Sequence, residues 1–123
     1  MRIFKSRWFL RFARKEGIAD VALCEAIARA ERGQIDAELG GGVIKQRIAR
    51  PGQGRSKGYR TIIFFRRGIK AFFVYGFAKS QRANIDRIEQ DQFKEAAKIV
   101  LALTDEQLAV RLKRGDFVEV ENE

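Results

Sequence analysis

The run Thr61-Ile62-Ile63-Phe64-Phe65 places five β-branched or aromatic residues in succession. Such a run is typical of a β-strand buried on both faces. The strand it predicts, residues 59–66, is one of three. Residues 43–49 alternate, with Ile44 and Ile48 on one face and Lys45 and Arg47 on the other. Residues 71–77 form the third run, reached through a turn at Arg67-Gly68-Ile69. Residues 51–58 make a glycine-rich, basic loop between the first two strands. It is not a Walker loop, because the G-x-x-x-x-G-K-[ST] spacing is absent and no helical pattern follows. Three runs joined in this way predict an antiparallel meander.

Helical periods flank the meander. Residues 3–5 read as a short first strand. From Ser6, Trp8, Phe9, Phe12 and Ala13 share one face while Arg7, Arg11 and Arg14 fall on another, and Gly17 ends the pattern. The stretch is short for a basic membrane-surface helix and fits better as a helix packed on a domain core. Residues 20–32 predict a second, alanine-rich helix, with Val21, Cys24, Ala28 and Glu31 at helical spacing and Gly33 placed to stop it. The two form an αα-hairpin with Cys24 packed inside. After Lys79, Phe93, Ala97, Val100 and Leu101 mark the buried stripe of a helix over 88–103. Thr104 and Gln107 match a capping box opening a further helix, with Leu108 and Leu112 inward and Gly115 at its end. Residues 117–120 read as a last edge strand. The order β-α-α-β-β-β-α-α predicts an α+β fold, an N-terminal αα-hairpin packed on a small antiparallel sheet. One domain spans 1–123, with a C-terminal helical extension at about 104–123.

Charge narrows the function. The chain has 123 residues and a net charge of +9. Residues 39–85 hold eleven basic residues and no acid, residues 1–15 a further six bases and no acid, and the remaining segments are net acidic. A stretch that forgoes local charge pairing attracts polyanions, which favours nucleic acid or an acidic protein partner over a merely solvated face. An anionic membrane surface ranks third. Histidine is absent and cysteine occurs once, which removes imidazole triads, histidine-ligated zinc, intrachain disulfides and multi-cysteine metal sites. No metal or small-molecule cofactor is expected. No apolar run reaches the roughly 18–20 residues of a membrane span, and no secretory h-region follows Met1, so a cytoplasmic protein is expected.

Three pieces of sequence carry a family resemblance. They are Lys45-x-Arg47 on the second strand, Gly58-Tyr59-Arg60 opening the third, and the run Gly76-Phe77-Ala78-Lys79-Ser80-Gln81-Arg82 after the fourth. In this order and spacing the chain resembles the RelE/ParE superfamily of bacterial toxins from type II toxin–antitoxin modules, with RelE- and HigB-like toxins the nearest branch. The resemblance covers roughly residues 1–103. It implies a compact RelE-like microbial RNase-type sheet, cleavage of mRNA on the ribosome, and silencing by a cognate antitoxin through an acidic segment. It places the basic pair of the second strand on Lys45 and Arg47, and the arginine after the glycine–tyrosine turn on Arg60. The basic residues beyond the last core strand become Lys79 and a displaced Arg82. Ser80 occupies the usual arginine position, and Asp86 stands near that of a C-terminal tyrosine.

RNA cleavage without metal or histidine needs a base for the 2′-hydroxyl, charge stabilisation on the phosphorane, and help for the leaving 5′-oxygen. Lys45 suits the base, since neighbouring cations lower a lysine's pKa. Arg60 offers paired donors to phosphate oxygens. Arg47, Lys79 and Arg82 are candidates for positioning the strand or assisting the leaving group. Arg50, Arg55, Lys57 and Tyr59 are candidate RNA contacts, Tyr59 having a second reading as a core or rim aromatic. Two other functions fit the same residues: a ParE-like gyrase poison without a nuclease site, and a non-catalytic RNA-binding module.

Overall fold

The computed structural model describes residues 1–50, 52 and 54–121, with residues 54–56 described by their backbone alone. The apolar run lies in β4 (Gly54–Arg66), and its two faces enter two separate cores. Tyr59, Ile63 and Phe65 point to one, Ile62 and Phe64 to the other. Strands β3 (Val43–Arg50) and β5 (Lys70–Ala78) flank β4 antiparallel, as the meander requires. The loop between β3 and β4 is shorter than its glycines predict. Arg50 pairs with Gly54, so residues 54–58 belong to the ladder.

Three further strands complete the sheet. β1 (Arg2–Ser6) lies beside β5, β6 (Phe117–Val120) beside β1, and β2 (Ala37–Gly40) beside β3. Among the described residues the order is β2-β3-β4-β5-β1-β6. The expected small antiparallel sheet is thus corrected to a mixed one, because β1 runs parallel to β5. A parallel pair needs a long connection, and residues 7–69 supply it. Strand β2 escaped the sequence reading: it has four residues, alternates half-buried with exposed, and ends in glycine. Gly40, Gly41 and Gly42 all have positive φ and turn β2 into β3. A Cβ on Gly42 would meet Leu101 Cδ1 at 2.6 Å, so glycine also lets the third helix approach.

Two helical layers cover the sheet, as the α+β reading expects. Helices α1 (Arg7–Glu16) and α2 (Asp20–Glu31) bury Phe9, Ala13, Leu23, Ala26, Ile27 and Ala30 against Ile44, Ile48, Ile63 and Phe73. Ser6 caps α1 by accepting from Phe9 N, and Gly17 ends it in the left-handed conformation. The stripe of Val21, Cys24, Ala28 and Glu31 is not the buried face of α2. Val21 is 76% exposed, and Cys24 only borders the core. An alanine-rich helix has small residues on every side, so its period fixes the helix but not its inward face. On the other side of the sheet, α3 (Arg87–Leu101) and α4 (Asp105–Arg114) cover Phe4, Val43, Phe64, Phe72 and Phe117 with Ala97, Leu101 and Leu108. The capping box at Thr104 and Gln107 is present. Among the described residues, no helix is long and apolar enough to cross a membrane.

Buried polar groups hold β3 in place. The fully buried Gln46 donates to the carbonyls of Ala26 and Gln34 and accepts from Asp36 N. Arg29, also buried, pairs with Glu25 at 2.9 Å and donates to the Arg47 carbonyl at 2.6 Å. Unsatisfied, such groups would cost about 1–3 kcal/mol each. Together they clamp the helical hairpin to the strand that carries Lys45 and Arg47.

Candidate nucleic-acid interface

Strand alternation sends Lys45 and Arg47 to the face opposite the hairpin. The register then assembles the site in rows. Arg47, Arg60 and Phe77 lie side by side across β3, β4 and β5, and Lys45, Ile62 and Tyr75 form the next row. Lys45 and Arg60 are thus diagonal neighbours on one face, a separation of roughly 7–8 Å between backbones.

Lys45 is half-buried and donates from Nζ to Asn84 Oδ1 at 3.0 Å. Burial first, then the charges of Arg60 and Arg47, hold its ammonium below the ordinary lysine range, with Asp36 opposing. Arg60 is 7% exposed, and burial together with Arg47 lowers its affinity for its proton, Asp36 again opposing. A guanidinium remains charged even so. Arg47 projects into solvent, while its backbone N donates to Asp36 Oδ2 at 2.6 Å.

Arg82 reaches the same face with its charge engaged. It forms a two-pronged pair with Glu89 at 2.6 and 3.1 Å and donates to Tyr75 Oη and the Asn84 carbonyl. It also lies 5.4 Å from the centre of the Phe77 ring. The bonds to Glu89 and Tyr75 raise its pKa above the ordinary arginine range, and Arg82, with the backbone N–H of Asp86, pushes Glu89 down to about 2. Asp86 caps α3 in a reciprocal box with Glu89. The position where the resemblance would set a tyrosine therefore serves as a helix cap. Lys79 is exposed just beyond β5, its backbone N donating to the Gly58 carbonyl.

The candidate RNA contacts divide. Tyr59 is corrected outright: it is 1% exposed in the hairpin core, its hydroxyl donating to Glu16, and no base can reach it. Its place next to Arg60 in a regular strand already dictates the opposite face. Arg50 lies over the Tyr59 ring at 5.7 Å, on that same hairpin side and away from Lys45. Lys57 is exposed. The side chain of Arg55 lies outside the described residues. Sequence reasoning missed Asn84, Asp36 and Glu89, which partner or tune the basic groups. Asp36 and Asn84 have no readable spacing to Lys45, whereas Asp86-x-x-Glu89 is a capping-box pattern legible in the chain.

The face combines a half-buried lysine of lowered pKa, a nearly buried arginine and an exposed one, a set suited to holding and polarising a phosphodiester. No curated protein and no solved structure matches the chain. The model of the protein family described as the RelE toxin of the RelE/RelB toxin–antitoxin system matches residues 1–120, a span that runs past residue 103 through β6. With the basic strands, the two helical layers and nearly the whole length accounted for, the chain belongs to the RelE toxin family.

Proposed function

We propose that the chain halts translation by cutting mRNA on the ribosome in the bacterial cytoplasm. The observation that carries this reading is the diagonal placement of Lys45 and Arg60, with Lys45 held below the ordinary lysine range. Neutral Lys45 Nζ takes the proton of an RNA 2′-hydroxyl. The 2′-oxygen bonds to phosphorus, the bond to the 5′-oxygen breaks, and that oxygen leaves with a proton taken from solvent. The products are a 2′,3′-cyclic phosphate and a 5′-hydroxyl. Arg60 stabilises the phosphorane charge, Arg47 and Lys79 hold the strand, and Arg82 acts by positioning, since Glu89 engages its charge. Within the toxin–antitoxin module, an acidic antitoxin segment covers the basic face and silences it.

Expression in a bacterium followed by mapping of RNA ends in translating ribosomes tests the reading. New cuts within codons are expected, abolished by Lys45→Ala or Arg60→Ala in folded protein. Intact transcripts beside accumulating DNA breaks would instead favour a gyrase poison. Asp86 favours that second reading, because a helix cap stands where the nuclease branch has a tyrosine.

A further inference from the structure

Trp8 shares a helical period with Phe9 and Ala13, yet only those two enter the core. Trp8 is 40% exposed, an unusual position for the chain's single tryptophan. It lies against the part of β5 that outruns β1, whose pairing stops at Phe73. Beside it opens a cavity of about 250 Å³ lined by Trp8, Phe12, Tyr75, Phe77, Lys15 and Arg82 among others. Trp8 stacks on Phe12 with ring centres 5.4 Å apart and 16° between planes, and meets Tyr75 at 4.6 Å. Gly76 forms part of the wall, where a Cβ would strike the Phe12 ring at 2.6 Å. Glycine at this position thus lets the Phe12 ring lie directly against β5.

We propose that this slot is a nucleobase subsite, in which a base of single-stranded RNA stacks on Trp8. The inference rests on the RNA-directed reading above and names where the strand goes beyond the scissile phosphate. Two observations select RNA over a peptide. The slot is continuous with the basic face: Lys45 holds Asn84, Arg82 holds both Asn84 and Tyr75, and Phe77 neighbours Arg60. The slot also lies between the two acid-free segments, 1–15 and 39–85. Glu16, the acid at its wall, is occupied by the Tyr59 hydroxyl. Flat aromatic walls take any base by its π-face, with Lys15 as the rim cation because Arg82 is paired with Glu89, so the subsite anchors the strand with little sequence preference.

Trp8 reports on its own occupancy, because no other tryptophan contributes fluorescence. The purified wild-type protein is titrated with a short 2′-O-methyl oligoribonucleotide, which cannot be cleaved by 2′-attack. Parallel titrations use the abasic strand of equal length, inorganic phosphate, and an acidic peptide. Saturable quenching by the base-bearing strand alone supports the subsite. Equal quenching by the abasic strand or phosphate, or none at all, overturns it, and quenching by the peptide alone assigns the slot to a protein partner. Trp8→Ala should weaken binding of a labelled strand about 5- to 150-fold, the range for loss of one base–aromatic stack. Trp8→Phe should recover part of that affinity. Cleavage that depends on Lys45 and Arg60 without base-dependent quenching would sink the subsite and leave the nuclease standing. Base-dependent quenching with no cleavage would do the reverse.

Discussion

Lys45 is the residue on which the proposed chemistry turns, and its environment makes a directional prediction. A lowered pKa enlarges the neutral fraction at any given pH, so cleavage should rise with pH and level off below the ordinary lysine value of 10.5. Removing the adjacent charge in Arg60→Gln should move that midpoint upward while lowering the maximal rate. Lys45→Ala should reduce the rate about 100-fold or more, the usual contribution of a general base. Single-turnover rates across pH on programmed ribosomes would check all three, and an unchanged midpoint in Arg60→Gln would remove the coupling. The basic residues of this site were legible because strand alternation alone sorts Lys45 and Arg47 from Ile44 and Ile48. Their partners were not. Asn84 sits 39 positions from Lys45 and meets it only because β5 and the segment before α3 bring it there.

At the scale of the element, the N-terminus of α3 joins the helix to the site through the Arg82–Glu89 pair and the Asp86 cap. Glu89 titrates near 2 in the folded protein against an ordinary 4.5, so folding favours its ionised form. The stabilisation is complete above about pH 4.5 and disappears as pH falls toward 2. Melting temperatures followed over that window should fall modestly for the wild type, since water screens a pair this exposed. Glu89→Gln should melt lower at neutral pH and show a shallower acid limb. Parallel curves for the two proteins would refute the assignment. Element existence was well signalled where period and caps agreed, as at Ser6, Gly17, Thr104 and Gly115. It failed for β2, too short to display a period, and for the inward face of α2, where alanine blurs the contrast between sides.

For the whole molecule, the helical and strand segments after residue 103 are part of the sheet's architecture. Phe117 packs at 5.1 Å from Phe72, and Ile3 to Ser6 pair with residues of β6. Deleting 104–123 would uncover Leu101 and Phe72 and leave an open edge on β1, which invites edge-to-edge association. The truncated chain should lose most of its soluble fraction and sediment as aggregates, whereas a monomeric truncated protein would contradict this role for β6. The α+β class was readable from the order of periods. The parallel pairing of β1 was not, because no local signal says which distant strand a short N-terminal segment will join.

That pairing has a temporal meaning. β1 is synthesised first among the strands, yet it is held between β5 and β6, with Ile3 paired to Val120. Contacts so distant in sequence form late. While the chain is still being made, its basic strands can assemble, but the sheet stays unclosed until residues 117–120 emerge. A sheet built in this order closes around its first strand only after the last of its described strands has been made.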